Sequence, residues 1–436
     1  MVVALKICLI NYYLRTRDYP TRYSLSILRL GEYLNSLGIN VDILPIQLTS
    51  KNLEEIITLQ IKDKYDIVGI YNYVWSKDIT PKLSKLIKKI CGDINIIIGG
   101  PETKYTNLDE YEDEIFILGE GEQSLYNTVK YIEKGKSDAM FFSNNPNIFD
   151  KEHPNAKLIE SEIAYINPLF TKFKNIDKDF FYYETSRGCA YNCGYCGFRN
   201  REKVANFDLN FVLEEIKRIG ALNFKEVFVI DANLGGTKER AKKILSYFNK
   251  YASNSLLTIY LRPEFIDDEM IEILKSSNLK DVRIGIQTTN EKVPNWLRAN
   301  SLYHVKHFLP KLSKNGIIWK AELIIGLPGD TLKGLKESID FVEEVLKPSE
   351  YCCYPLSVIK GTPLYELTKK QNDGLWIEAD DLLRASSSSS YTFEELKEMQ
   401  QYAISRMNSY LDRTKLDENI KKLRKERNSI TYKNVE

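Results

Sequence analysis

A chain of 436 residues exceeds the length at which a single hydrophobic core usually stops growing, so two domains with a short appendage are expected. Hydrophobic residues make up 43% and charged residues 28%, which is ordinary for a globular protein and excludes a wholly disordered chain. The 61 Lys and Arg against 60 Asp and Glu give a net charge of +1, so neither nucleic acid nor an anionic membrane is favoured as a partner.

Targeting signals and disulfides are not expected either. No stretch approaches the roughly 20 apolar residues that cross a bilayer, and residues 1–13 resemble a buried strand more than a signal peptide. The seven cysteines are an odd number, and only three of them lie close together, so they form no disulfide framework. We therefore expect a cytoplasmic protein in a reducing compartment.

Residues 1–136 alternate between short β-rich apolar runs and amphipathic segments of helical length. This alternation predicts a parallel sheet with crossover helices, a doubly wound Rossmann-like domain. Ligands of such sheets bind at the carboxyl ends of the strands, where Gly99, Gly100 and the run Gly119-Glu120-Gly121 fall. Strands are predicted near residues 4–10, 40–46, 65–71, 94–100 and 114–120, and helices near 23–38, 52–62, 80–90 and 123–134.

Residues 137–180 lose the periodicity and are predicted to be a linker. The alternation resumes over 181–375, where six βα repeats predict a partial (β/α)6 barrel whose chemistry gathers at the carboxyl ends of its strands. Residues 376–436 are predicted to be a helical C-terminal extension, with the run Ser386–Ser390 as a flexible loop. The predicted fold class is α/β, a Rossmann-like parallel sheet followed by the partial barrel and the helical appendage.

Three cysteines follow the first predicted strand of the barrel. Cys189, Cys193 and Cys196 are separated by three and two residues. Three thiolates from one loop can hold three irons of a cubane cluster and leave the fourth iron open as a reaction site. Two other interpretations stay open: a zinc site with a fourth ligand from elsewhere (His153, Cys352 or Cys353), and three buried cysteines without metal.

The cysteine loop, with Tyr195 directly before its last cysteine, resembles the signature of the radical S-adenosylmethionine (SAM) superfamily. The resemblance implies a 4Fe-4S cluster on the three cysteines, whose open iron is chelated by the amino and carboxylate groups of SAM. It also implies that an electron from the reduced cluster cleaves SAM to a 5'-deoxyadenosyl radical. An external reductant such as flavodoxin or ferredoxin is then an expected partner.

Two later strand ends resemble the superfamily's contacts with the amino acid end of SAM. Asp231 and Asn233 would face the SAM amino group, although Asp231 alone would equally cap the next helix. Arg262 would pair with the SAM carboxylate, or would simply be an exposed Arg.

Two further strand ends resemble those that contact the adenosine part of SAM. Gln287 and Thr289 correspond to polar residues that approach the ribose. Glu322 and Gly326 belong to a strand end that lies beside the adenine. Each match is weak alone, and their order along the chain makes them strong together.

The N-terminal domain resembles the cobalamin-binding domain that precedes many radical SAM domains. The resemblance implies that its glycines let the backbone pass close to the corrin or its nucleotide tail, although tight turns explain each glycine almost as well. The glycines concerned are Gly69, Gly99, Gly100, Gly119 and Gly121, with Glu120 between the last two.

One feature departs from the cobalamin pattern. Domains that supply a lower axial imidazole carry Asp-x-His-x-x-Gly after the first strand. Here the corresponding stretch is 11–18, which includes Tyr12, and the first His of the chain is His153. Either cobalamin binds without a protein imidazole, or the domain keeps the fold and has lost the cofactor.

The sequence therefore predicts a radical SAM enzyme that methylates an unactivated carbon of a small-molecule or peptide substrate, with cobalamin as the methyl carrier. The alternative is ring formation, rearrangement or another non-methyl outcome, with or without cobalamin. A SAM or corrinoid binding module, or an iron-sulfur scaffold, belongs to a different class and would form no 5'-deoxyadenosine.

Overall fold

The computed structural model describes residues 5–13, 24–47, 52–157, 178–199, 204–298, 300–369, 374–380 and 383–413. The chain divides into two compact units, Met1–Phe180 and Phe181–Glu436. No helix among the described residues is both long and apolar enough to cross a membrane.

The first unit is a six-stranded sheet of order β2-β1-β3-β4-β5-β6. Its first five strands are parallel, and the sixth pairs antiparallel with the fifth. The strands are β1 (Ile7–Tyr13), β2 (Val41–Gln47), β3 (Ile67–Tyr71), β4 (Asn95–Gly99), β5 (Ile115–Ile117) and β6 (Ile148–Phe149). The helices are α1 (Leu25–Ser36), α2 (Leu53–Gln60), α3 (Thr80–Cys91), α4 (Glu122–Glu133) and α5 (Phe141–Asn144).

The strand order confirms the predicted Rossmann-like sheet. Its central strands are apolar runs that are buried along almost their whole length. β1, β3 and β4 are rich in Ile and Val, as expected of parallel strands that are covered on both faces. The strand order reverses between β1 and β3, so the binding crevice of the fold lies at the carboxyl ends of these two strands.

Part of the predicted linker belongs to this sheet. The first residues of 137–180 form α5 and β6, and Phe149 pairs with Phe116 of β5 and stacks on its ring. Residues 158–177 lie outside the described part of the chain.

The second unit contains a six-stranded sheet of order β14-β13-β12-β11-β10-β7. Its strands are β7 (Phe180–Tyr183), β10 (Glu226–Val229), β11 (Leu256–Tyr260), β12 (Leu279–Gln287), β13 (Trp319–Ile325) and β14 (Glu350–Pro355), with a small ribbon of β8 (Ser186–Arg187) and β9 (Ala205–Asn206). The helices between them are α6 (Leu209–Leu222), α7 (Lys238–Tyr251), α8 (Asp268–Lys275), α9 (Asn295–Arg298), α10 (Leu302–His307), α11 (Leu309–Lys314), α12 (Leu332–Phe341) and α13 (Pro363–Glu366).

The six predicted barrel strands are thus all present, and the partial barrel is confirmed. Side chains from three neighbouring strands meet on one face: the Arg283 guanidinium lies 4.9 Å from the ring centroid of Phe228 and 5.7 Å from that of Tyr260. Along β13, Ala321 and Leu323 are fully buried on the opposite face. Because side chains alternate along a strand, Glu322 shares the face of Arg283.

The C-terminal part begins with a hairpin of β15 (Ile377–Ala379) and β16 (Ala385–Ser388) and continues as α14 (Phe393–Arg413). The flexible loop predicted at Ser386–Ser390 is wrong. Three of its residues lie in β16, and the Ser390 hydroxyl accepts a hydrogen bond from the Gly329 amide at 3.0 Å. Serine favours loops by composition, and here hydroxyl bonding to the barrel outweighs that preference.

Candidate functional site

The cysteine loop begins where β7 ends, and a buried aspartate fixes this start. Asp231, directly beyond β10, is 1% exposed. Its carboxylate accepts hydrogen bonds from the amide and hydroxyl of Thr185 at 2.7 and 2.5 Å and from those of Ser186 at 3.2 and 3.0 Å. The Gly235 amide donates a fifth bond at 2.8 Å.

The hydrogen bonds of Asp231 favour a structural role, while its contact with SAM stays a prediction. Five donors of the chain itself occupy both carboxylate oxygens, so Asp231 joins the end of β10 to the entry of the cysteine loop. Burial raises the pKa of Asp231, and the hydrogen bonds oppose that rise.

The three cysteine thiols lie within electrostatic range of one another. Cys193 is buried, and Cys189 and Cys196 are half-buried. Burial, together with Cys193 and Cys189, raises the pKa of Cys196 to about 11. No three His, Cys, Asp or Glu side chains in the described residues converge closely enough to hold a single metal ion. A cubane would take each of the three thiolates as the ligand of a separate iron.

Arg262, which follows β11, places a cationic group beside the cysteine loop. Its Nη1 lies 3.7 Å from the Cys193 Sγ, and its guanidinium carbon lies 3.6 Å from the ring centroid of Tyr191. Burial raises the pKa of Cys193, and Arg262 opposes that rise by favouring the thiolate. Arg262 thus faces a predicted cluster ligand directly.

Glu264 holds Arg262 in place. Its carboxylate accepts hydrogen bonds from Arg262 Nε at 3.0 Å and Nη2 at 3.3 Å. The same carboxylate accepts the Ser301 amide at 2.6 Å, just before α10. Sequence analysis missed Glu264 and Tyr191, although the spacing Arg-x-Glu on one strand end is a signal for such a pair.

Tyr195 precedes the last cysteine and lines the apolar side of the cysteine loop. Its ring packs against the apolar cluster that includes Leu297 and Leu364. Burial, above all, raises the pKa of Tyr195 well above its usual range, so the hydroxyl keeps its proton.

Neighbouring segments close against the loop at Gly194. Its amide donates to the Trp296 carbonyl at 2.8 Å, and its carbonyl accepts the Leu364 amide at 2.9 Å. A Cβ atom at Gly194 would lie 2.2 Å from the Trp296 ring, so only glycine fits beneath α9.

The structure offers no support for the zinc alternative. Cys352 and Cys353 are buried within β14, and the Cys353 amide donates to the Met407 Sδ of α14. His153 belongs to the first unit, where its ring stacks on Phe142 at 4.2 Å and its Nδ1 lies 3.0 Å from Asp150.

Asn233 lies beside Arg262. Its side-chain oxygen accepts the Arg262 amide at 3.1 Å, and the residue is 4% exposed. Its side-chain NH2 is buried and has no hydrogen-bond partner among the described residues. A buried donor of this kind is costly unless a ligand satisfies it.

Gln287 ends β12 in a backbone conformation that side chains rarely adopt, with a φ of 65°. Such strain collects at functional sites. Its amide folds back over Gly285, the partner of Glu322 across the sheet. The predicted ribose residue Thr289 is already bonded within the barrel, because its hydroxyl lies 3.0 Å from the Ser338 hydroxyl of α12.

Glu322 contributes a carboxylate to the polar face of the barrel. Burial raises its pKa, and the nearby charges of Lys320 and Arg283 oppose that rise. Gly326, further along, has a φ of 90°, and its carbonyl accepts the Tyr391 hydroxyl at 2.5 Å. A Cβ atom at Gly326 would meet Leu396 and Tyr391 of the C-terminal part, so packing alone accounts for a glycine at this position.

In the first unit, aromatic side chains follow the carboxyl ends of the central strands. The Tyr12 and Tyr71 rings meet edge to face at 5.4 Å, Tyr71 meets Tyr73 at 5.1 Å, and Tyr73 stacks on Trp75 at 4.7 Å. Trp75 is 56% exposed, so the row runs from the core to the surface.

Three buried polar atoms at this edge have no hydrogen-bond partner among the described residues. They are the hydroxyl of Tyr12 in β1, the side-chain oxygen of Asn72 after β3 and the hydroxyl of Thr103 after β4. Since buried polar atoms are nearly always bonded, this edge is suited to a polar ligand. The remainder of the stretch 11–18 lies outside the described residues from position 14 onwards.

The predicted glycines have mixed roles. Gly100, with a φ of 119°, brings its backbone against Asn72, and Gly119 has a φ of 75° at the same edge as Gly99 and Glu120. Gly121 packs under Leu30 of α1, and a Cβ there would lie 2.9 Å from that side chain. Gly69 lies within β3, where a Cβ would meet Leu9 at 2.5 Å, so packing explains it instead of a corrin.

Comparison with known families agrees with this architecture. Residues 183–342 match the radical SAM superfamily, and residues 20–129 match the B12 binding domain. The chain therefore carries a radical SAM domain and a B12-binding domain.

Curated relatives of this radical SAM protein include methyltransferases and methylthiotransferases. It is 23% identical over 340 residues to the cobalamin-dependent radical SAM methyltransferase TokK of Streptomyces tokunonensis, which covers 71% of this chain and 49% of TokK. It is 27% identical over 212 residues to the ribosomal protein uS12 methylthiotransferase RimO of Protochlamydia amoebophila, which covers 45% of this chain and 44% of RimO. The matched stretches span about half the length of these relatives.

Solved structures share the fold along most of the chain. The radical SAM methyltransferase TsrM of Kitasatospora setae, with cobalamin and a 4Fe-4S cluster bound, has a TM-score of 0.69 at 15% identity and covers 87% of this chain and 81% of its own. The cobalamin-dependent SAM radical enzyme OxsB, with aqua-cobalamin bound, has a TM-score of 0.71 at 15% identity. The match covers 100% of this chain and 72% of the OxsB chain.

Proposed function

We propose that this protein is a cobalamin-dependent radical SAM methyltransferase that methylates an unactivated carbon of a small-molecule or peptide substrate. The observation that carries the proposal is the loop of three thiols with Arg262 at the Cys193 sulfur, in a chain that also has a B12-binding domain. A binding module would not require a cationic donor aimed at a buried cysteine sulfur.

The cysteine loop fits a 4Fe-4S cluster. Cys189, Cys193 and Cys196 would hold it, and Arg262 would donate to the Cys193 sulfur. When bound and reduced by an external protein such as flavodoxin or ferredoxin, the cluster supplies the electron that cleaves SAM. The chain's own part is to anchor the loop through Asp231 and to exclude water from Cys193.

The barrel offers polar groups for SAM and substrate. Asn233 has a buried NH2 without a partner among the described residues, close to the cysteine loop. Gln287 and Glu322 share the polar face of the barrel, where Glu322 can accept hydrogen bonds from a ribose or from a substrate amine. We expect these three residues to bind SAM or substrate.

The first unit fits a cobalamin. The buried polar atoms of Tyr12, Asn72 and Thr103 lie at the switch-point edge of the sheet, where they would bond the polar periphery of the cofactor. When bound, cobalamin supplies a transferable methyl group. The role of the chain is to hold the cofactor at this edge.

Methyl transfer is favoured over a different radical outcome by the extent of the relatives' matches. The TokK match covers 71% of this chain, whereas the RimO match covers 45%. TokK therefore resembles a larger part of this chain than the RimO of Protochlamydia amoebophila does.

The test is an anaerobic assay of the reconstituted full chain with hydroxocobalamin, dithionite and SAM carrying a deuterated methyl group. We expect about four irons per chain, formation of 5'-deoxyadenosine, and deuterated methylcobalamin on the protein. Cys193→Ala should lose iron and both products. The matched control is Cys352→Ala, which removes a buried cysteine from β14 and should retain them.

The outcomes separate the alternatives. Loss of all products with full iron content would indicate a scaffold. Formation of 5'-deoxyadenosine without methylcobalamin would overturn methyl transfer and favour ring formation or rearrangement. Zinc in place of iron would overturn the radical SAM mechanism.

A further inference from the structure

We propose that Arg262 is a positioning residue that raises the reduction potential of the cluster by donating to Cys193, and that it does not bind the SAM carboxylate. This inference rests on the proposed function, because it needs a cluster on the three cysteines. It assigns Arg262 to tuning the potential of the cluster, in place of the SAM-binding role that the resemblance implies.

The geometry places the guanidinium on the sulfur. Arg262 Nη1 lies 3.7 Å from Cys193 Sγ, within the longer range of hydrogen bonds to sulfur. The guanidinium stacks on the Tyr191 ring at 3.6 Å, which fixes the plane from which Nη1 points. Arg262 is therefore held toward the thiol on two sides.

The edge of Arg262 that would recognise a carboxylate is already occupied. A guanidinium binds carboxylates bidentately through neighbouring N–H groups. Nε and Nη2 of Arg262 bond the two oxygens of Glu264 at 3.0 and 3.3 Å. A SAM carboxylate would have to displace a carboxylate that also anchors the Ser301 amide.

The position of Arg262 is also fixed through its backbone. Its amide donates to the Asn233 side-chain oxygen at 3.1 Å. This bond links the loop after β11, which carries Arg262, to the loop after β10. Only 12% of the Arg262 side-chain surface is exposed. In such a partly dry site, a charge acts more strongly than it would in water.

The electrostatic consequence has a definite sign. Reduction adds one electron from the external reductant, so the reduced cluster is one charge more negative than the oxidised one. A cation and a hydrogen bond at a cluster thiolate stabilise the more negative form and raise the potential. Glu264 partly neutralises Arg262, so its removal should raise the potential further.

The experiment compares cluster midpoint potentials without SAM, by redox titration of the reconstituted full chain monitored by electron paramagnetic resonance. Arg262→Gln should shift the potential to more negative values, Arg262→Lys should restore part of that shift, and Glu264→Gln should shift it to more positive values. Arg240→Gln is the matched control, because Arg240 donates to the Thr185 and Phe207 carbonyls and to no cysteine sulfur in the described residues.

SAM binding gives the second measurement. We expect Arg262→Gln to bind SAM as the wild type does, by equilibrium dialysis. An unchanged potential in Arg262→Gln and Glu264→Gln, at full iron content, would overturn the inference. Loss of SAM affinity with an unchanged potential would assign Arg262 to the SAM carboxylate instead. If Arg262→Gln holds no cluster, the shifts of the midpoint potential in Arg262→Lys and Glu264→Gln test the inference in its place. Absence of iron in the wild type would overturn the proposed function itself.

Discussion

At the scale of single residues, the same residue type serves different purposes according to what its polar atoms already bond. Asp231 and Asn233 are two positions apart, yet the Asp231 carboxylate accepts five bonds from the chain whereas the Asn233 NH2 has no partner among the described residues. The sequence pattern alone cannot separate a residue that builds the site from one that is ready for a ligand.

Gly326 provides a residue-scale prediction. Its φ of 90° already penalises a side chain, and a Cβ would lie 3.1 Å from Leu396 and 3.2 Å from the Tyr391 hydroxyl. We expect Gly326→Ala to lower the free energy of unfolding by about 1–2 kcal/mol from the backbone and by a further ~1–3 kcal/mol from overpacking. Urea unfolding of the apoprotein measures this.

Gly316→Ala is the matched control for this loss. Gly316 has a similar φ of 72° and nothing within 4 Å of the position of a Cβ, so it reports the backbone cost alone. A stable Gly326→Ala protein with weakened SAM binding would instead return Gly326 to the adenine site.

At the scale of elements, one buried carboxylate bonds several side chains around the contact between α14 and the barrel. Glu343, in a π-helical segment after α12, is 7% exposed. It accepts hydrogen bonds from Tyr351 at 2.7 Å, from Arg406 Nη2 at 3.0 Å and from Arg413 Nη2 at 2.6 Å. Burial raises the pKa of Glu343, but the hydrogen bonds from Arg406, Tyr351 and Arg413 outweigh it and leave the pKa below its usual value.

This network predicts a pH-dependent stability. A carboxyl whose pKa is lower in the folded state stabilises the fold fully above its unfolded pKa of about 4.3. The contribution is lost as the pH falls through the lower folded pKa. Glu343→Gln should lower the free energy of unfolding by about 1–3 kcal/mol at neutral pH, and the difference from the wild type should shrink in acid.

Denaturant unfolding at a series of pH values tests the prediction, with the exposed neighbour Glu344→Gln as control. A constant difference between Glu343→Gln and the wild type across this range would show that Glu343 is not a stabilising carboxylate.

Elements also show what sequence can predict. The first five strands of the first sheet and the six of the second were predictable because each lies in a run of apolar, β-branched or aromatic residues between turn signals. β6 and the β15–β16 hairpin were not, because their residues form no such run and their pairing depends on the partner strand. The cysteine loop was predictable from spacing. The Arg-x-Glu spacing suggests that Arg262 and Glu264 form a pair, but it does not show that this pair lies beside Cys193.

At the scale of the whole molecule, the three histidines of the chain can be placed relative to the sheets. His304 and His307 lie on α10 of the second unit, with Nδ1 atoms 2.9 Å from the Ser301 hydroxyl and from the Tyr303 carbonyl. His153 follows β6, which runs antiparallel to β5. The chain after β6 therefore passes toward the amino ends of the parallel strands, where Lys151 bonds the Tyr111 carbonyl.

The last prediction follows from this placement. A cobalamin at the switch point of the first sheet lies at the carboxyl ends, and the single His of the described first unit lies at the opposite edge. We expect the full chain to retain about one equivalent of hydroxocobalamin through gel filtration. Its Co(II) form should lack the nitrogen superhyperfine splitting that an axial imidazole produces in electron paramagnetic resonance. A lower face without a strong donor would also make Co(I) easier to reach, because axial ligands tune the metal.

His153→Ala should leave the spectrum unchanged, and Tyr12→Phe, which removes the buried hydroxyl that has no partner among the described residues, should weaken retention. Nitrogen splitting that disappears in His153→Ala would overturn this placement of the corrin. Splitting that persists would come from His304, from His307 or from the cofactor's own base, and would likewise contradict the expected spectrum. Failure to retain cobalamin while 5'-deoxyadenosine still forms would leave the first unit as a fold without its cofactor.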